Sequence, residues 1–311
     1  MTDWELDSAV CLFIFNRPEM TQRVFDRIAE SEPPRLYIVA DGPREDVATD
    51  PDDCQAARAV TENVDWECDV HRNYASENFG LKKRFNTGLA WLFENEPEAI
   101  ILEDDCVPHP DFFQFCDIML DKYRNDERVW DVTGTNYLER WKPEKQSYHF
   151  SHIGGIWGWA TWRRSWKEYD PDITLWENKE IRARLRDVLA DEALCAYAET
   201  VYSRTYREVI DSWDYQWGFA RQINSGLSVV PSKNLVSNIG FGDQATNTTD
   251  RDETFADVPT QQLAFPLNEP PCLAVDREYD HAYLQMRTSF WERIPLLRRL
   301  SNRFLLKWYS L

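Results

Sequence analysis

No apolar run in this chain approaches the roughly 18 residues that a membrane-spanning helix requires. The opening MTDWELDS is acidic where a secretory leader would be basic and then apolar. Both absences lead to the expectation of a cytoplasmic protein without a signal peptide. Cysteine is sparse and odd in number, at 11, 54, 68, 106, 116, 195 and 272, with no C-x-x-C pair. That pattern speaks against a disulfide framework and for reduced thiols used as small apolar residues. Lysine is scarce, 9 residues beside 26 arginines, and the net charge is -19. Such a balance excludes a basic stripe for nucleic acid, so any phosphate must be held locally, by a metal or a few cations. It also suits a protein kept soluble in concentrated salt, and a halophilic source is the expectation. Internal repeats and low-complexity segments are absent as well.

What is present is aromatic: 14 Trp in 311 residues, with 43% hydrophobic residues overall. The chain is therefore globular and long enough for one large domain or two modest ones. So many indole rings favour an enzyme or binder that stacks on flat or ring-shaped ligands, although most Trp side chains in any protein are core.

The first half alternates strand and helix. AVCLFIFN (9–16) reads as a buried strand; RPEMTQRVFDRIAE after it has Pro near its start and apolar Met20, Val24 and Ile28 at helical spacing. RLYIVADG (35–42) reads as a second strand and WECDVHRN (66–73) as a third. LKKRFNTGLAWLFENE reads as a helix burying Phe85, Leu89, Leu92 and Phe93, and AIILEDD as a fourth strand. This rhythm predicts an α/β fold, a mostly parallel sheet with helices on both faces. Ligands of such sheets bind at the carboxyl ends of the strands. Those ends carry Asn16-Arg17, Asp41-Gly42 and Glu103-Asp104-Asp105. From about 140 the chain turns aromatic and loop-rich, with a helical stretch at 177–208, a strand at SVVP, and FPLNEPP (265–271) wrapping the surface at the domain's end.

Three adjacent carboxylates repel one another unless a cation or hydrogen bonds compensate. A hard divalent ion such as Mn2+ or Mg2+ takes one or two carboxylates and leaves other positions to substrate phosphates. The triplet alone is equally compatible with a solvated acidic loop.

The order and spacing of FNRPE, VADGPR, NFGLKKRFNTGLAWLF, ILEDDCVPHPDFFQF, WGWATWRRSW, SWDYQW and VSNIGFG add to this. Together they resemble the nucleotide-sugar glycosyltransferases of the GT-A fold, within them the N-acetylglucosaminyltransferase I-like group and its small prokaryotic relatives, over roughly residues 8–275. The resemblance implies a Rossmann-like nucleotide-sugar half, about 1–140, and an acceptor half, 141–285. It implies that Arg17 and Asp41 meet the uracil and ribose end of a UDP-sugar donor and that Arg84 meets its base or phosphates. Asp104 would lie near the ribose or sugar, with Asn16, Gly42 and Glu103 beside it on the donor side. Asp105 would ligate the divalent cation, and Asp214 would be the general base of an inverting hexosyl or N-acetylhexosaminyl transfer to a glycan or lipid-linked acceptor. Asn247 stands where such relatives often carry His.

Asp214 is flanked by Trp213 and Trp217, whose rings would raise its pKa, and Asp211 is the competing base; an ordinary helix N-cap is the alternative for both. Trp157, Trp159 and Trp213 are the candidate acceptor platforms, with core burial the commoner fate of such rings. His149 and His152 are weaker acceptor candidates, and no histidine sits at a metal-ligand spacing.

Residues 286–311 carry six basic and one acidic residue, and after Pro295 the residues Leu297, Leu300, Phe304 and Trp308 share one helical face. Either this tail lies on an anionic membrane as an interfacial helix, leaving the enzyme peripheral on its cytoplasmic face, or it docks on the acidic body of its own domain. Two other readings of the whole chain stay open. A nucleotidyltransferase also uses a Rossmann-like sheet and acidic metal ligands, although no Gly-rich loop with a following Lys succeeds the first strand. A carbohydrate-binding protein could retain the fold without chemistry.

Overall fold

The computed structural model describes residues 4–241 and 257–293, and of 288–293 the backbone alone. Asn247 and the apolar face expected after Pro295 lie outside the described residues.

The strongest apolar runs form the centre of the sheet. Strand β1 (Ala9–Ile14) is buried at every position and pairs in parallel with β2 (Arg35–Ala40) on one side. Helix α1 (Pro18–Ala29) follows β1, its proline in the first turn, where no amide hydrogen is missed. It buries Thr21, Val24, Phe25 and Ile28, so the inward stripe is carried by Phe25 where Met20 was expected. Helix α2 (Asp50–Val60) leads to β3 (Asp69–Tyr74), the half-buried edge strand that pairs in parallel with β2. Helix α3 (Leu81–Asn95) buries the expected Phe85, Leu89, Leu92 and Phe93, and also Arg84. Its Gly88 sits against Phe13 and Val39 so closely that a Cβ would come within 2.7 Å of both. The fourth expected strand, β4 (Glu98–Glu103), pairs in parallel with β1 on its other side.

Beyond β4 the sheet changes character. Strand β5 (Cys106–Pro108) and helix α4 (Asp111–Tyr123) follow the acidic triplet, then β6 (Val129–Thr133), β7 (Tyr148–Ser151) and β8 (Trp159–Trp162). From Trp157 to Trp166 the aromatic cluster is a loop leading into β8, followed by one helical turn, α5 (Arg163–Trp166). The β-branched and aromatic run WATW suits a strand buried on both faces. A 3-10 turn at Thr174–Glu177 precedes α6 (Lys179–Leu189) and α7 (Glu192–Tyr206), so the helical stretch at 177–208 is two helices broken at Ala190. Helix α8 (Asp214–Ile223), β9 (Leu227–Pro231), β10 (Val236–Asn238) and α9 (Arg277–Arg293) complete the elements.

The main sheet runs β3-β2-β1-β4-β8-β6-β9-β7, with β8 antiparallel to both β4 and β6. Helices flank it, in a Rossmann-like α/β arrangement. A second, two-stranded sheet joins β5 to β10. Surface wrapping at 265–271 is followed by further packed chain: Val275 bridges to Phe150, and α9 buries Tyr279, Asp280, Tyr283 and Leu284. Helix α9 thus runs through the expected boundary between 285 and 286.

Candidate functional site

The acidic triplet lies at the carboxyl end of β4. Glu103 closes β4, and burial, followed by the charges of Asp105 and Asp104, pushes its carboxyl well above the usual range. Its Oε1 is buried without a hydrogen-bond partner. Asp104 is buried and accepts from the Phe15 amide at 3.2 Å and from Nη2 of Arg17. Burial pushes its pKa up to about 6, with the Arg17 charge pulling the other way. Asp105 accepts from Arg17 Nη1 at 2.9 Å. The small sheet fixes it: Ile239 donates its amide to the Asp105 carbonyl at 2.9 Å, and a Cβ on Gly240 would lie 2.1 Å from the carboxylate. Only glycine lets that carboxylate lie against the backbone.

These groups open into a cavity of about 350 Å³ at the strand ends, lined also by Asp41, Arg44, Asn78, Arg84, Phe85 and Trp213. Arg84 donates to the Asn73 side chain at 3.0 Å and to its carbonyl, so α3 carries the guanidinium to the cavity and β3 holds it there. Asp41 accepts from the amides of Gly42, Phe79 and Gly80 and from the Asn78 side chain, at 2.8–3.2 Å. Its carboxylate therefore organises the loop that starts α3 while facing the cavity. Two of the residues expected on the donor side lie outside the cavity lining. Asn16 turns away and donates to Asp50 at 2.8 Å, and Gly42 packs on the Glu77 backbone, which a Cβ would approach to 2.4 Å; neither lines the cavity. Asn16 thereby shares Asp50 with Arg44, a residue that the sequence did not single out. Arg44 lines the cavity, and Asp50 fixes it by accepting from its Nε at 2.6 Å and its Nη2 at 2.9 Å. The signal was the acidic cluster in the first turn of α2, Asp50, Asp52 and Asp53, of which Asp50 alone is fully buried.

A second cavity of about 430 Å³ adjoins the first. Asp105, Ile156, Trp157, Asp211, Ser212, Asp214 and Gly240 line both. Asp214 is the first residue of α8, half-buried, accepts from the Ser212 hydroxyl, and has its pKa raised to about 6, chiefly by burial. Asp211 is exposed at the same wall.

Asp214 owes its position to a stack of rings. Phe13 of β1 stacks on Phe85 of α3 (4.1 Å between centroids), Phe85 on Trp213 (4.5 Å), and Trp213 on Trp159 of β8 (5.5 Å). Trp217, one turn along α8, donates to Asp131 at 2.8 Å. This column joins the first half of the sheet to α8 and contains two of the candidate acceptor platforms. Trp159 is 1% exposed and lines neither cavity; Trp213 is equally buried and faces the strand-end cavity alone. Trp157 is half-buried and open to both cavities. Of the histidines, His152 lines the second cavity, and His149 is buried against Tyr279, ring centroids 4.3 Å apart.

Among the described residues no three His, Cys, Asp or Glu side chains are grouped as a complete metal cage. A cation of the Mg2+ or Mn2+ type needs no cage, since it takes one or two carboxylates and completes its shell with water and substrate oxygens. Glu103, Asp104 and Asp105 all line the strand-end cavity, the place where such an ion would meet a carboxylate oxygen.

The sequence matches no protein-family model and no curated protein. Among solved structures it is similar to a mannosyltransferase from Pyrobaculum calidifontis in complex with GDP-Man and Mn2+, at 10% identity and TM-score 0.39, over 71% of this chain and 70% of that one. UDP-glucose pyrophosphorylase complexed with UDP-glucose is similar at 12% identity and TM-score 0.27, over 47% and 63%. An apo UDP-glucose pyrophosphorylase is similar at 8% and 0.34, over 74% and 93%. At these identities and scores, none of the three says which ligand this chain binds.

Proposed function

We propose that this protein is an inverting glycosyltransferase that moves a sugar from a nucleotide-diphosphate donor, with UDP as the nucleotide, to a hydroxyl of a glycan or lipid-linked acceptor. The observation that carries the reading is the shared wall: Asp105 and Asp214 both border the strand-end cavity and its neighbour. One cavity gathers guanidinium groups for a diphosphate, the other offers aromatic surface for a saccharide, and the candidate base stands between them. The motif order that resembles the N-acetylglucosaminyltransferase I-like group supports the same assignment, including a hexosyl or N-acetylhexosaminyl unit as the group transferred.

Arg17, Arg44 and Arg84 hold the donor's charged end in the strand-end cavity. Asp105 is the residue that would hold a divalent cation; when bound, such an ion neutralises the negative charge of a departing nucleoside diphosphate. Asp214 takes the proton of the acceptor hydroxyl as that oxygen attacks the anomeric carbon. Attack opposite the leaving group, with one base, inverts that carbon. The aromatic column excludes water behind Asp214 and keeps its pKa near the range where a carboxylate accepts a proton at neutral pH. An anionic membrane surface as a further partner is proposed from the basic sequence of 286–311, most of which lies outside the described residues.

Calorimetric titration of UDP with and without Mn2+, for wild type and Asp105→Ala, tests the donor half. Metal-dependent binding lost in the variant is expected. Absence of UDP binding in every condition would remove the reading.

A further inference from the structure

Asp41 was expected to meet the base and ribose of the donor, but its carboxylate is already filled. Its Oδ1 accepts from the amides of Gly42 (2.8 Å) and Phe79 (2.9 Å), and its Oδ2 from the Gly80 amide (3.1 Å) and the Asn78 side chain (3.2 Å). Two bonds on each oxygen use the four acceptor positions of a carboxylate. Asp41 is buried, and three of these donors belong to the loop that opens α3. The N-cap of that helix, Gly80, has no side chain with which to cap it, so the charge of Asp41 stands at the helix N-terminus instead.

Another group of the same corner is open to a ligand. Asn78 is half-buried and lines the strand-end cavity. Its amide nitrogen donates to Asp41 Oδ2 and, at 3.0 Å, to the Gly42 carbonyl. Both partners can only accept, which fixes the amide with its nitrogen on them and its Oδ1 on the opposite side. Among the described residues no group donates to that oxygen. An amide oxygen accepts and does not donate, so it calls for a ligand N–H or O–H. The guanidinium groups of Arg44 and Arg84 in the same cavity call for the reverse.

Sheet order decides which part of a donor reaches this corner. Strand β1 lies between β2, which leads into Asp41, and β4, which leads into the acidic triplet. Neighbouring strands are about 4.8 Å apart, so the two strand ends are separated by about 10 Å. A diphosphate at Asp105 with its sugar turned to Asp214 extends its nucleoside across the end of β1 towards Asn78.

We propose that Asn78 reads the nucleoside: its Oδ1 accepts from the N3–H of uracil or from a ribose hydroxyl, while Asp41 holds the loop that aims it. This rests on the nucleotide-sugar reading and adds the side chain that selects the nucleotide. The two sources present the same donor chemistry to the same oxygen.

The test is calorimetric titration of UDP, CDP and 2′,3′-dideoxy-UDP, with Mn2+ present, into wild type and Asn78→Ala. CDP has no hydrogen at N3, and the dideoxy compound lacks both ribose hydroxyls. Wild type is expected to bind one of the two about tenfold more weakly than UDP, and the disfavoured compound identifies the source. In Asn78→Ala the UDP affinity should fall by a similar factor and that difference should vanish, whereas a loop merely disturbed would weaken all three alike. Asn78→Ser repeats the comparison if the alanine variant does not fold. Equal binding of all three by wild type overturns the proposal without any variant. Discrimination retained in a folded variant overturns it too. In both cases UDP still binds and the glycosyltransferase reading stands; absence of UDP binding removes both.

Discussion

Nη1 of Arg17 lies 2.9 Å from Oδ2 of Asp105, while Nη2 of the same guanidinium holds Asp104. One side chain from the loop after β1 therefore compensates two of the three carboxylates after β4. Arg17, expected to reach the donor's base and ribose, is first of all the cation of the acidic triplet.

Removing that cation leaves buried like charges face to face. Arg17→Ala is expected to lower stability by about 3 kcal/mol, read from urea denaturation at pH 7. Mn2+ should restore part of the loss in Arg17→Ala and none in Arg17→Ala/Asp105→Ala, because an ion bound only by the folded state stabilises it. Equal rescue of both would show that the ion binds elsewhere.

Asp214→Asn is expected to reduce sugar transfer by about 10²- to 10⁴-fold while leaving UDP affinity within twofold or so. Asp211→Asn should do much less. The wild-type rate should rise with pH through about 6, since burial raises the Asp214 pKa and the carboxylate accepts a proton only above it. A profile already flat at pH 5 would assign the base elsewhere.

The aromatic residues separate into supports and surface. Trp159→Ala cuts the column behind α8 and is expected to cost about 3–5 kcal/mol, with activity falling because the fold is lost. Trp157→Ala, at a half-buried ring open to both cavities, should retain most of the stability and lose acceptor affinity. Comparable melting temperatures for the two variants would contradict this division.

His149 is buried against Tyr279, and neither of its ring nitrogens finds a hydrogen-bond partner. Burial lowers its pKa to about 3 from an ordinary 6.5. A folded-state pKa below the unfolded value means that the unfolded chain takes up the proton first. This contribution is complete above pH 6.5 and is lost as pH falls towards 3. His152, lowered to about 4 by burial and by Arg221, acts in the same direction. His149→Phe is expected to flatten the acid limb of a stability-against-pH curve; an unchanged limb would place the titration elsewhere.

With 54 acidic and 35 basic side chains, the net charge of -19 repels itself in dilute buffer. The melting temperature is expected to rise from low to molar KCl. A flat or falling trend would exclude a surface adapted to salt.

Sequence by itself determined the elements whose cause is local. Unbroken apolar runs made β1, β2 and β4; helical spacing made α1, with its leading proline, and α3; and the carboxylates fell at the mouth of β4 because that run ends there. Tertiary structure decided which groups meet. Arg17 and Asp104 are 87 positions apart and pair because β1 and β4 lie side by side in the sheet. Trp159 and Trp213 carry the same signal as Trp157, yet the stack from Phe13 to β8 buries the two and leaves the third facing the cavities. Arg44 and Arg287 gave no periodic signal at all; a buried Asp50 aims the first, and the docking of α9 brings the second to the wall of the second cavity. Periodicity reports which face of an element is buried, whereas the partner across that face depends on strand order and helix docking, which involve contacts far apart in the chain.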